Sequence, residues 1–206
     1  MKLKNFLCLA IDTASDLNSV AVLLNGKTLS VRQLQSERGQ GEVLFSLIQE
    51  VLAEAKKTPA DLTHIVVSVG PGSFTGVRIG LATARALGLA LKIPVLGVNN
   101  FNATAWHNPA AVTVVLDTKR SDYFTQTFDK NGHTMSEPSI QTSEQLQKNL
   151  PFIAIGSGAN KLANQIPCAT LSDVALAINL GQIAYTAPDL TIPPHPFYLK
   201  DADVTL

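Results

Sequence analysis

The residue types in this chain that could do chemistry are two aspartates at strand ends and one glycine-rich run. Asp12 closes the apolar run Phe6 to Ile11 and is followed by Thr13; Asp117 closes "VVLD" and is followed by Thr118. A carboxylate in that place can orient a metal-bound phosphate, or can cap the turn through its own backbone. The run "VGPGSFTGVRIGLATARALG", Val69 to Gly88, leaves a strand and enters a helix, the usual setting for a phosphate cradle. Its spacing excludes the two common cradles. Gly76 is followed by Val77-Arg78 where a Walker loop needs Lys-Ser/Thr. Against a dinucleotide fingerprint begun at Gly70 and Gly72, Gly76 falls one place late, and no acid lies in Lys92 to Asn102 to hold a ribose.

Other chemistries lack their constellations. His64, His107, His133 and His195 include no i, i+4 pair, and Cys8 and Cys168 form no C-x-x-C, so no metal is expected. Ser73 is outside a G-x-S-x-G elbow, so nucleophilic catalysis has no anchor. What remains in the glycine run is a pattern of size. Gly76, Gly80, Ala84 and Gly88 recur every four residues and form one small ridge along a helix. Each interior glycine costs about 0.5–1 kcal/mol relative to alanine, so the ridge is expected to gain a close contact, either with the chain's own sheet or with a partner helix. Arg78 and Arg85, seven residues apart, share another face and could meet acids on a partner.

The elements that position these residues are legible. Phe6 to Ile11 reads as a buried strand, and Ser19 to Leu24 with a return from Lys27 reads as a hairpin turning at Asn25-Gly26. Glu42 to Lys56 reads as a helix whose apolar stripe includes Val43, Leu47 and Val51. Thr58-Pro59 opens a helical turn, His64 to Val69 is a strand, Phe74 to Leu91 a helix and Val95 to Val98 a short strand. From near Ala111 the grammar repeats: "LAIDT…LLNG" and "VVLDT…FDKNG" place Asp-Thr and Asn-Gly at nearly equal spacing. Further on, "FIAIGSGANK" reads as strand, turn and helix, "LSDVALAINLGQIAY" as a helix capped by Ser172, and the proline-rich end as an extended tail.

Lys plus Arg and Asp plus Glu both number 16, giving zero formal charge. A chain that gripped nucleic acid alone would carry a basic excess. No stretch reads as a membrane span, and the two cysteines read as buried thiols; the expected location is the cytoplasm.

A strand ending in Asp-Thr with a following hairpin, present twice, resembles the ASKHA superfamily of actin, sugar kinases and Hsp70. More closely, "LAIDTASDLNSVAVLLNGK" with "VGPGSFTGVRIGLATARALGLALKIPVLGVN" resembles the TsaB (YeaZ) family, a subunit of the bacterial machinery that makes threonylcarbamoyladenosine in tRNA. The resemblance is carried by residues 7 to about 105, and beyond them by "VVLDTKRSDYF" and "PFYLKDADV". It implies an α/β fold of two actin/Hsp70-like lobes, mixed sheets flanked by helices, divided as 1–105 and 106–206.

It also implies a non-catalytic subunit without cofactor that binds and activates the TsaD transferase. The metal-binding H-x-x-x-H of that transferase is absent here, where the corresponding helix reads "GQGEVLFSL", and Ala14 stands where ASKHA nucleotide binders have glycine. The implied interface is Val43, Leu47, Val51, Gly76, Arg78, Gly80, Ala84 and Arg85. Asp12, Thr13 and Asp117 are the residues that a nucleotide would use. The companion ATPase TsaE completes the implied assembly, tRNA is held mainly by the transferase, and the chain can pair with itself when alone. The competing reading is a small ASKHA phosphotransferase using Asp12 and Asp117 with Mg-ATP; a peptidase reading lacks both nucleophile and metal pair.

Overall fold

The computed structural model describes residues 5–15, 17–35, 40–169 and 176–199. The apolar strand before Asp12 is β1 (Leu7–Asp12), and it pairs antiparallel with β2 (Leu17–Leu24), which turns at Asn25-Gly26 into β3 (Lys27–Gln35). Asn25 and Gly26 have φ of 52° and 78°, the left-handed pair that the two-residue hairpin demands. The first helix, α1, spans Gln40–Glu54, and α2 spans Phe74–Leu91 between β4 (His64–Ser68) and β5 (Val95–Val98). β4 runs parallel to both β1 and β5.

Side-chain alternation along β1 explains why its sequence is apolar throughout. Leu7, Leu9 and Ile11 face α1 and α2, while Cys8 and Ala10 face the opposite layer, so both sides are covered. Burial in that second layer pushes the Cys8 thiol up to about 12, which leaves it an inert apolar residue. A short helix, α3 (Asn100–Ala105), links the first sheet to the second: Ala103 packs on the first, Phe101 and Ala105 on the second.

The second sheet repeats the first. β6 (Val112–Asp117), β7 (Asp122–Phe128) and β8 (Ser139–Thr142) form an antiparallel meander, and β9 (Ala154–Ile155) runs parallel to β6. The order β8-β7-β6-β9 matches β3-β2-β1-β4, so the doubled Asp-Thr grammar is a doubled topology. Helices α4 (Ser143–Asn149) and α5 (Ser157–Lys161) cover its outer face through Leu146 and Ala159.

The C-terminal segment corrects the expected division at 105/106. Helix α6 (Leu176–Thr186) buries Ala177, Leu180, Ile183 and Ala184 against Cys8, Ala10, Ala21 and Leu23 of the first sheet. β10 (Thr191–Ile192) then pairs with β5 at the edge of that same sheet. These residues therefore complete the first sheet; its α3/α6 face would otherwise be bare apolar surface. The proposed cap Ser172 lies outside the described residues.

One further expectation is corrected. By length and composition α2 is long and apolar enough to cross a membrane, although the sequence reading found no such stretch. Its buried Gly76, Val77, Gly80, Leu81, Ala84 and Gly88 are spent on the chain's own sheet.

Candidate functional site

The ridge of small residues is built for its own sheet. A Cβ at Gly76 would overlap the Thr13 carbonyl oxygen, and one at Gly80 would sit 2.5 Å from Thr13 Oγ1. A Cβ at Gly88 would overlap Val95, and Ala84 is fully buried. Gly76, Gly80 and Ala84 are therefore corrected from partner contacts to internal ones: glycine lets α2 settle on the turn after β1. The apolar stripe of α1 has the same fate. Leu47 and Val51 are in the core, and Val43 is half-buried against it. Arg78 and Arg85 alone of the eight expected interface residues stand exposed on the outer side.

That outer side holds what the sequence reading missed. Ala82, Ala86 and Ala90 recur every four residues and are all exposed, so α2 carries a second small ridge facing solvent. Beside it Leu89 is 81% exposed, and on α1 Phe45 is 56% exposed. The signal was present in the sequence, since the helix is small-sided on two faces; glycine drew attention to the inner one.

Asp12 and Thr13 are enclosed. Asp12 accepts from Ser68 Oγ at 2.6 Å, from Ala14 N at 3.1 Å and from Ser15 Oγ, joining the ends of β1 and β4 to the following turn. Full burial pushes its carboxyl above the usual range, against the opposing hydrogen bonds from Ser15, Ser68 and the turn backbone. Thr13 Oγ1 donates to Gly76 O at 2.6 Å. Asp117 is also buried but ion-paired, with Lys161 Nζ at 2.9 Å and Lys119 Nζ at 3.3 Å from Oδ2. Burial raises its carboxyl, yet the Lys161 ammonium and the Lys119 backbone N–H and ammonium outweigh that and hold it below the usual range.

Between the two sheets lies a cleft of about 1020 Å³, lined by Ala14, Gly72 and Asn100 on one side and Asp117, Ser157 and Lys161 on the other. This is where the ASKHA fold implies a nucleotide, and the residues do not fit one. The Ala14 carbonyl turns into the glycine loop and accepts from Ser73 N at 2.8 Å, and a Cβ at Gly72 would overlap it. The Ala14 N–H that the β1–β2 turn would offer a phosphate donates instead to Asp12 Oδ1 at 3.1 Å. Asp12, beneath it, has no face toward the cleft, and Asp117 is committed to lysines.

Comparison with known proteins decides the family. The chain matches the TsaD family, described as tRNA N6-adenosine threonylcarbamoyltransferase, over residues 35–184. It is 30% identical, over 218 residues, to the Haemophilus influenzae protein named tRNA threonylcarbamoyladenosine biosynthesis protein TsaB, covering 98% of this chain and 87% of that one. This chain belongs to the TsaB family. YeaZ from Pseudomonas aeruginosa shares the fold with a TM-score of 0.76 at 23% identity, covering 94% of this chain and 99% of that one. The wider architecture extends to the activator of 2-hydroxyisocaproyl-CoA dehydratase from Clostridium difficile, solved with bound ADPNP. There the TM-score is 0.54 at 10% identity, covering 89% of this chain and 94% of that one. The TsaB-family chain is thus an α/β protein of the actin/Hsp70-like class, as its doubled topology indicates.

Proposed function

We propose that this chain takes part in tRNA threonylcarbamoyladenosine synthesis as a non-catalytic subunit. It docks a TsaD-type transferase on the outer face of α1 and α2 and activates it. The observation that carries this reading is the contrast between the two candidate sites. The polar residues that a nucleotide would use are consumed inside the fold, whereas α1 and α2 leave Phe45, Leu89 and the alanine ridge uncovered. Small residues let a second helix pair approach closely, and the large apolar residues beside them supply buried area.

In this reading the two sheets are the two lobes, with residues 176–192 belonging to the first. The transferase carries the chemistry and most of the tRNA contact, which suits a chain of zero net charge. The companion ATPase TsaE joins the assembly, and the same helical face pairs two copies when the transferase is absent. Size-exclusion chromatography with a purified TsaD-type transferase tests the docking step. Co-elution is expected for the unaltered chain and its loss for Ala86→Arg; co-elution of both would show that the face is not the contact. Calorimetry with Mg-ATP separates this reading from the phosphotransferase one, and no binding by the chain alone is expected.

A further inference from the structure

The end of the described chain crosses α2 as an extended strap, residues 193–199. It is anchored by Phe197, whose N–H donates to Val69 O at 2.8 Å and whose ring packs against the cores of both sheets. The strap meets α2 at both arginines. Arg85 Nη2 donates to Pro194 O and lies 2.9 Å from His195 Nδ1. A guanidinium only donates, so Nδ1 is the acceptor and the imidazole proton sits on Nε2. Arg78 Nε donates to Tyr198 Oη at 3.3 Å, and its guanidinium stacks 3.7 Å over Phe74, whose ring centroid is 5.2 Å from that of Tyr198. The sequence of α2 contains no acid, and among the described residues no carboxylate pairs with either arginine.

We propose that the strap is a positioning element of the docking face: His195 and Tyr198 hold Arg85 and Arg78 ready for carboxylates on the docked partner. This rests on the reading that the outer face of α2 docks a TsaD-type transferase. Arginine has many rotamers, and ordering it on association is costly. The strap orders it beforehand. It does so without using up the guanidinium: Arg78 keeps both Nη groups for a forked carboxylate contact, and Arg85 keeps Nε and Nη1 for single charge-assisted hydrogen bonds. A partner surface that fits is therefore apolar at its centre and acidic where it reaches the second and fourth turns of α2.

The test is a double-mutant cycle on full-length chain, with affinity for the transferase measured by calorimetry. Arg85→Ala is expected to weaken binding about tenfold. His195→Ala should weaken it about threefold to tenfold, yet have no further effect in the Arg85→Ala background. His195→Asn offers an acceptor close to the position of Nδ1 and should restore most of the affinity. Tyr198→Phe should act in the same way through Arg78. The proposal is overturned if His195→Ala weakens binding equally with and without Arg85. It is also overturned if Arg85→Ala weakens binding and His195→Ala does not. Neutral arginine variants would also overturn it; failure of the docking reading shows separately, as transferase binding that Ala86→Arg does not disturb.

Discussion

Replacing Gly76 by alanine sets two effects against each other, and the structure decides which prevails. In an ordinary helix interior the change stabilises by about 0.5–1 kcal/mol. Here the new Cβ would overlap the Thr13 carbonyl oxygen, a backbone atom that no rotamer change can move. The turn carrying it is fixed by Ser73 N donating to Ala14 O at 2.8 Å and Thr13 Oγ1 donating to Gly76 O at 2.6 Å. Relief requires α2 to lift from β1. Overpacking of this kind costs about 1–3 kcal/mol, and the lost hydrogen bond adds about 1 kcal/mol. Against the helix gain, the net expectation is about 1–3 kcal/mol of destabilisation. For a chain of this size, that lowers Tm by about 2–12 °C. Thermal and urea denaturation followed by circular dichroism read it directly, with Ala82→Gly as the control. That exposed change carries only the helix term, about 1 kcal/mol. A Gly76→Ala chain more stable than the unaltered one would refute the reasoning, because it would mean that the turn yields and the close approach is dispensable.

Four further outcomes are expected. Leu89→Asp on the outer face should leave Tm within about 2 °C, being a surface change, and reduce transferase binding at least about tenfold in calorimetry. Asp12→Asn should alter the pH profile of unfolding in a defined sense. The folded carboxyl lies above its ordinary value, so as pH rises past about 4 the unfolded chain ionises first and the unaltered protein loses stability relative to the variant. Asp117→Asn should behave oppositely. Its folded carboxyl lies below the ordinary value, so the stability it contributes is present at neutral pH and disappears as pH falls below about 4. Gly80→Leu with Ala84→Leu should prevent folding rather than merely block docking, and a folded, stable double variant would contradict the inward placement of the ridge.

Much of the fold was legible in the sequence because its signals were local. Asn25-Gly26 fixed a hairpin, the helix read over Phe74 to Leu91 has those bounds, and the repeated Asp-Thr predicted two equivalent sheets. The direction of each helix face was harder to read, because a small ridge fits a sheet or a partner equally well. Gly76, Gly80 and Ala84 turned inward because Thr13 and Val67 needed the space, a contact between residues more than sixty positions apart for Thr13. The strap was illegible for the same reason. Nothing near His195 or Tyr198 in sequence announces that Arg85 and Arg78 lie beneath them. Likewise the carboxylates of Asp12 and Asp117 looked alike in sequence, and only their surroundings, full burial for one and neighbouring ammonium groups for the other, gave them opposite shifts.

The central claim is that this chain serves through its outer helical face and not through its own cleft. The most direct measurement is a reconstituted tRNA modification assay containing a TsaD-type transferase, TsaE, threonylcarbamoyl-adenylate and tRNA. The account predicts product only when this chain is added, full product with Asp117→Asn, and none with Ala86→Arg. Equal product without the chain, or loss of product with Asp117→Asn while the complex still forms, would contradict it.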